Sequence, residues 1–277
     1  MPLDLTADMT AYEEQGYLVI PEVLGPDDVD AAQQEIERLH ELAAGEASPP
    51  GEATFQFEPY TDVRSEHGRP VLRKIERTDL VSDLFADMAR NPRMVAVVSE
   101  LLGPELLLFR STLMLKPARH GSQHGLHQDV AYWPLEPPEL VTVSIAISAS
   151  DAENGCIHVI PGSHRWPVGE WGNISRRDDA AQTDRDDVDL SQLRDVPLAA
   201  GSAVLFHSNI VHGSGPNHSD RPRHTALYAY FPPTARYAPS RPDAPSKTYP
   251  VVAGLNGLAS VTLRVGESAL SVTQRQQ

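Results

Sequence analysis

The stretch His124-Gly-Leu-His-Gln-Asp-Val-Ala-Tyr-Trp-Pro134 organises the rest of the chain. Within it His127 and Asp129 stand two residues apart. On extended backbone, residues i and i+2 point to one face, so an imidazole and a carboxylate converge on one spot. A third donor is needed to close a metal site. Downstream, His212 in Ile210-Val-His-Gly-Ser-Gly-Pro-Asn217 is the best-placed candidate. Two histidines and a carboxylate on one side of a metal, with the opposite positions open, form the ligand set of non-heme Fe(II) oxygenases.

A His-x-Asp alone is a weak signal in a chain with eleven histidines. His120, His124, His158, His164, His207, His218 and His224 all read as surface or core residues. What lifts His127, Asp129 and His212 is their company. Ser214 follows His212 by two residues and Arg223 by eleven. A guanidinium presents a fork of donors that matches a carboxylate, such as the distal one of 2-oxoglutarate.

Together these pieces resemble the phytanoyl-CoA dioxygenase family of Fe(II)- and 2-oxoglutarate-dependent oxygenases. The matching runs are Tyr12-Glu-Glu-Gln-Gly-Tyr-Leu-Val-Ile-Pro21, the His127-Gln-Asp129 triplet with Tyr132-Trp-Pro134, Asn154-Gly155 to Pro161-Gly-Ser-His164, and His212 to Arg223. They stand in the family's order and span about residues 8–235. The resemblance implies His127, Asp129 and His212 as metal ligands. It implies Arg223, Ser214, Gln128 and Lys74 as contacts of 2-oxoglutarate, with Arg73 and Arg77 beside Lys74. Tyr132 and Trp133 then become candidates for the substrate side, or for core packing. Where some relatives carry a tryptophan on the strand after the triplet, this chain has Ile145, so a different cavity wall is expected there.

The fold implied is mainly β with flanking helices, a double-stranded β-helix, that is, a cupin-like jelly roll. The chemistry implied uses Fe(II), 2-oxoglutarate and dioxygen, with ascorbate as reductant in vitro. It releases succinate and carbon dioxide and, by default, hydroxylates a C–H bond of a small molecule. Desaturation, cyclisation, epoxidation and endoperoxide formation are alternative outcomes on the same iron. A cupin-like metal-binding sensor is the alternative from another class, and Arg223 argues against it.

Composition narrows the partners. The formal net charge of −15 disfavours nucleic acid or an anionic membrane, whose surfaces would repel the chain. No protein partner is implied. The single cysteine, Cys156, excludes an intrachain disulfide and reads as a small buried residue within Cys-Ile-His-Val-Ile160. The opening Met-Pro-Leu-Asp-Leu-Thr-Ala-Asp has no apolar run of the kind a secretory signal needs. No stretch approaches the roughly 20 apolar residues of a membrane span. A cytoplasmic enzyme is the expectation, and its arginine-rich, lysine-poor composition fits secondary metabolism in a GC-rich bacterium.

Elsewhere the pattern predicts helices over residues 8–15, from Pro26 to Gly45, Asp79 to Met88 and Pro92 to Leu102. Strands are expected at Tyr17–Ile20, Leu106–Lys116, Val141–Ser148, Cys156–Ile160, Ser202–Phe206 and Thr225–Phe231. The chain reads as one domain over 1–277, with a helical part to about 104, a jelly-roll core over 105–235 and an extension over 236–277. Residues 46–69, with Phe55, Phe57 and Tyr60, read as a lid. The charged run over 171–198 reads as a solvated loop or as a second lid wall facing Phe55 and Phe57. The tail after Pro233 carries no reading of its own.

Overall fold

The computed structural model describes residues 5–45, 49–64, 71–240 and 244–275. Its first half runs α1 (Leu5–Gln15), β1 (Tyr17–Ile20), α2 (Pro26–Ala43), β2 (Thr54–Phe57), β3 (Leu72–Glu76), α3 (Asp83–Met88), α4 (Pro92–Leu102), β4 (Leu106–Lys116) and β5 (Gln123–His127). Then come β6 (Leu135–Glu136), β7 (Val141–Ala146), β8 (Ile157–Val159), β9 (Ser175–Arg176), β10 (Arg194–Val196), β11 (Ala203–His207) and β12 (His212–Ser214). The chain closes with β13 (Arg223–Phe231), β14 (Arg236–Tyr237), β15 (Ser246–Ala253), β16 (Ser260–Arg264) and α5 (Ala269–Gln274).

Apart from the separate β6–β14 pair, the strands build two antiparallel sheets around one cavity, the jelly-roll form expected from the sequence. The major sheet has the order β1-β11-β7-β13-β4-β15-β16, with β3 also on β4 and β2 on β3. The minor sheet has the order β10-β8-β12-β5-β9. Side chains of the major sheet alternate between two destinations. Leu113 and Leu115 of β4, Val143 of β7 and Tyr228 of β13 point outward into a core shared with α2, α3 and α4. Thr112, Met114, Thr142, Ser144 and Leu227 point inward and line the cavity. Two buried tyrosines fasten α3 to this sheet: the Tyr228 hydroxyl donates to Phe85 O at 2.9 Å and that of Tyr230 to Ala89 O at 2.8 Å.

This alternation corrects the expectation for Ile145. It is fully buried, but in the outer, helix-packed core, and its neighbour Ser144 faces the cavity instead. A strand has a side-chain period of two, so a one-residue error in register moves a side chain to the opposite face.

The expected lid over 46–69 is also corrected. Residues 46–48 and 65–70 lie outside the described residues. Thr54–Phe57 is a strand hairpinned onto β3, and Phe55 packs against the helix-side core. Tyr60 alone of the three aromatics reaches across, donating its hydroxyl to Ser175 O at 2.8 Å. The 171–198 run docks along β5 through β9, and it meets Tyr60 and Tyr132 rather than Phe55 and Phe57. The tail forms the β15–β16 hairpin and α5. Tyr249, Val261, Leu263 and Ala269 of these elements enclose a second core with Phe109 and Trp133. Cys156 is buried, and that burial pushes its thiol up to about 11, which suits packing and not nucleophilic chemistry. Among the described residues no helix is long and apolar enough to cross a membrane.

Candidate active site

Strand pairing assembles the candidate metal donors. His127 ends β5 and His212 begins β12, and they are Cα partners across the antiparallel ladder. Gln128 continues in extended backbone (φ −111, ψ 125), so Asp129 falls on the same side as His127 before the chain turns into a single 3-10 turn. One ligand atom from each of His127, Asp129 and His212 lies within 4.8 Å of the others. Asp129 Oδ1 is 3.5 Å from His127 Nε2 and 4.0 Å from His212 Nε2.

The atoms behind these donors set their chemistry. His127 Nδ1 is 3.0 Å from Gly125 O, and His212 Nδ1 is 3.1 Å from Ile210 O. A carbonyl only accepts, so each Nδ1 carries the proton and each Nε2 presents a lone pair to the cavity. Burial pushes the His212 pKa down to about 4, which keeps the ring neutral and ready to ligate. Asp129 is held below the ordinary carboxylate value even though its burial acts in the opposite direction. Thr142 donates its hydroxyl to Asp129 Oδ2 at 3.1 Å, leaving Oδ1 toward the histidines. Two imidazole nitrogens and one carboxylate oxygen, with no fourth donor in the cluster among the described residues, suit a ferrous ion with open positions.

At the other end of a cavity of about 270 Å³ stands Arg223, the first residue of β13. It is 5% exposed, its Nε has no hydrogen-bond partner, and among the described residues no carboxylate forms an ion pair with it. Burial lowers its pKa to about 10, so it keeps its charge at neutral pH. A buried charge without a counter-ion costs several kcal/mol (roughly, in a relaxed protein), so this guanidinium is matched to a ligand anion. Lys116, its Cα partner on β4, lies buried behind it, with Nζ donating to Ser122 O and to Gly215 O at 2.6 Å each, and burial, then Arg223, push its pKa well below the usual value. Ser214 lines the same end.

Other expected residues divide. Lys74 lines the cavity, and its Nζ donates to Glu76 Oε1 at 2.7 Å. Trp133 serves wall and core together, lining the cavity while its ring sits 4.8 Å from that of Phe109. Tyr132 is half exposed at the mouth, with its hydroxyl 3.2 Å from Gly172 O. Gln128 is a correction, because its side chain turns away from the cavity. Its Oε1 accepts from Gly169 N at 2.8 Å and Trp171 Nε1 at 3.0 Å, and its Nε2 lies 3.1 Å from Asn209 O. The middle of an extended triplet must face opposite to its ends. Gln128 therefore pins the 167–171 segment and leaves the cavity to its neighbours.

Among the described residues, two titratable ones in the cavity wall escaped the sequence reading. His124 lines the cavity, and its ring meets that of His127 edge-on at 5.1 Å. Positions three apart on a regular strand face opposite ways, but the β5–β12 register shifts between His212 and Ser214, and this irregularity lets both histidines face inward. Arg73 Nη2 sits 3.2 Å from His124 Nδ1, so Nδ1 accepts and Nε2 carries the proton. Burial, then His127, hold the His124 pKa well below the usual value. The other residue is Arg110, which shares the inward face of β4 with Thr112 and Met114. Its alternation with Phe109 and Ser111 was legible, but its destination was not.

Comparison with known proteins bears on this geometry. A family model described as phytanoyl-CoA dioxygenase (PhyH) matches residues 12–225. The chain belongs to the phytanoyl-CoA dioxygenase family. It is 30% identical over 217 residues to peroxisomal phytanoyl-CoA dioxygenase of Rattus norvegicus, covering 74% of this chain and 62% of the rat enzyme. It is 27% identical to the ectoine dioxygenase of Streptomyces avermitilis, covering 81% of this chain and 77% of that enzyme. The crystal structure of the epimerase SnoN with Fe3+, alpha-ketoglutarate and nogalamycin RO shares the fold, with a TM-score of 0.68 at 24% identity over 97% of this chain and 96% of SnoN. For this PhyH-family chain, the donor set and the unpaired Arg223 fit an iron- and 2-oxoglutarate-dependent enzyme.

Proposed function

We propose that this PhyH-family chain hydroxylates a C–H bond of a small molecule, consuming 2-oxoglutarate and dioxygen and releasing succinate and carbon dioxide. One observation carries this reading: a His-Asp-His donor cluster and a buried, unpaired guanidinium share a single cavity. Iron with 2-oxoglutarate and dioxygen supplies, when bound, the oxidising power that breaks the C–H bond.

The protein's residues do the positioning. His127 and His212 offer Nε2, each oriented by a backbone carbonyl behind its Nδ1. Asp129 offers Oδ1, with Oδ2 restrained by Thr142. Arg223 receives the distal carboxylate of 2-oxoglutarate, with Ser214 beside it and Lys116 behind. Lys74, neutralised by Glu76, is a secondary contact at the cavity wall. Trp133 and Ile174 give the cavity apolar walls that exclude water from the reacting centre. Hydroxylation requires only that a C–H bond be held near the metal. A metal sensor, by contrast, has no use for a buried carboxylate clamp.

The test is anaerobic titration with Fe(II) and 2-oxoglutarate, followed by admission of oxygen. Visible charge-transfer absorption should grow in during the titration, and succinate should appear after aeration. A chain that shows neither would overturn the reading.

A further inference from the structure

Among the described residues three cations line the cavity, Lys74, Arg110 and Arg223, against a single carboxylate, Asp129. On the functional reading above, the charges of the metal site and the cosubstrate clamp close among themselves. A ferrous ion and Arg223 bring three positive charges, and Asp129 and the two carboxylates of 2-oxoglutarate bring three negative ones. Lys74 is matched by Glu76 at 2.7 Å. Arg110 is left over. Among the described residues its only carboxylate within ion-pair reach is that same Glu76, at 3.9 Å and already engaged by Lys74. This surplus occurs in a chain whose formal net charge is −15, so it is local to the cavity and not a general property of the surface.

Register separates Arg110 from the cosubstrate clamp. On the β4–β13 ladder Arg110 pairs with Ala229, and Lys116 pairs with Arg223 six residues further along. At the rise of a strand this puts the Cα atoms of Arg110 and Arg223 about 20 Å apart, so Arg110 stands apart from the clamp on the distal carboxylate. Ala229 also pairs with Thr142 of β7, whose hydroxyl holds Asp129. Arg110 is therefore level with the metal-binding end, two strands across from Thr142. Its guanidinium lies 5.7 Å from the centroid of the Trp133 ring, and Trp133 in turn packs on Phe109. The cation is thus held in place over an aromatic wall, with about a third of its side chain open to solvent.

We infer that the substrate carries an oxyanion group, bound by Arg110 at the cavity mouth, and an apolar body that lies along Trp133 with its reacting C–H bond toward the His127–Asp129–His212 cluster. Carboxylates and phosphate monoesters both offer that chemistry. The inference rests on the iron and 2-oxoglutarate reading, and its test separates the two.

The probes share one skeleton: 3-phenylpropanoate, 2-phenylethyl phosphate and the neutral 3-phenylpropanamide. Binding is measured by calorimetry to the full-length protein loaded with Ni(II) in place of iron and saturated with 2-oxoglutarate, so that no turnover occurs. The wild type should bind at least one of the two anions more tightly than the amide, and which of them it prefers identifies the oxyanion. Arg110→Gln should lose about ten- to thirtyfold of that affinity, the lower range for a charge-assisted contact because the group is partly solvated. Arg110→Lys should recover part of it, and the amide should bind all three proteins alike. Equal binding of anions and amide by the wild type, no anion binding at all, or anion binding that survives Arg110→Gln would each overturn the inference. Weakened 2-oxoglutarate binding in Arg110→Gln would reassign the residue to the cosubstrate and overturn it as well. Failure of the wild type to bind 2-oxoglutarate would bring down the underlying reading together with the inference.

Discussion

His127 and His212 are Cα partners on adjacent antiparallel strands, with ring centroids 4.2 Å apart. A strand pairing thus unites two candidate metal donors that lie 85 residues apart in the chain. Because both rings are buried and both are oriented by carbonyls, each should be needed for the metal. His127→Ala and His212→Ala should each lose iron by at least a hundredfold in affinity. A chelator should abolish wild-type activity, and Fe(II) with ascorbate should restore it. Metal analysis of the purified variants checks this, and stoichiometric iron in either one would remove that histidine from the site.

Thr142 makes a prediction that separates geometry from folding. Its hydroxyl restrains Asp129 Oδ2, and valine has nearly its shape. Thr142→Val should weaken iron binding by about tenfold, the low end for loss of a hydrogen bond to a metal ligand. The melting temperature of the metal-free protein should stay within a few degrees of wild type. A large fall in stability without a change in iron affinity would assign Thr142 to packing alone.

Arg223 should govern the KM for 2-oxoglutarate. Its loss removes a charge-assisted carboxylate contact worth roughly 1.5–3 kcal/mol, on the order of tenfold to over a hundredfold in affinity. Arg223→Leu should therefore raise that KM strongly, and Arg223→Lys should raise it less. Arg221 gives the control. It is exposed and ion-paired with Asp151 at 2.8 Å, so Arg221→Ala should leave the KM unchanged. The reverse pattern would move the clamp to Arg221.

Much of this architecture was legible in the sequence, for physical reasons that also mark where legibility ended. Leu106–Lys116 and Pro92–Leu102 announced themselves by long apolar periodicity and by Pro and Gly at their ends, and both stand where expected. The triplet placed His127 and Asp129 on one face because Gln128 is extended, and the same geometry turned Gln128 away from the cavity. His124 could not be read in this way, because a register shift that only the β12 pairing creates brings it inward. Ile145 failed for a related reason: both faces of β7 are buried, so hydrophobicity could not tell inside from outside. The tail was opaque until Trp133 and Phe109 were seen packing against it, since Ser246–Ala253 has no partner nearby in sequence except its own hairpin.

Stability should fall as the pH drops from about 6.5 toward 4, with His207 contributing. Burial, then the nearby His164, push the His207 pKa down to about 4. Its Nδ1 accepts from Asn209 N at 3.0 Å, a bond that protonation would break. Asn209 in turn holds His164 O and Trp166 O. Between the folded and unfolded pKa values the unfolded chain binds more protons, so this contribution is lost as pH falls through that window and is fully present above it. The shift corresponds to at most about 3 kcal/mol. Chemical denaturation at pH 7 and pH 4.5 should show a smaller drop for His207→Gln than for wild type. An identical drop in the two proteins would exclude His207.

Gly155 supplies the last prediction, because two separate demands meet there. Its φ is +78°, a region where a side chain is strained, and a Cβ would lie 2.3 Å from Gly215 O and 2.9 Å from Pro216 O. Both neighbours are backbone and cannot swing aside. Gly215 O also accepts from Lys116 Nζ, and Gly215 directly follows Ser214. Gly155→Ala should therefore push on the segment that builds the cosubstrate end of the cavity. Gly257 isolates the first demand, since its φ is +74° and a Cβ there meets nothing within 4 Å. Gly257→Ala should cost about 1 kcal/mol from backbone strain alone. Gly155→Ala should cost about 2–4 kcal/mol and raise the KM for 2-oxoglutarate several-fold, an effect Gly257→Ala should lack. Thermal unfolding and cosubstrate titration of both variants provide the check. Equal losses of stability, with an unchanged KM in both, would show that the backbone beside Ser214 yields to the added methyl group and that Gly155 answers only to its own turn.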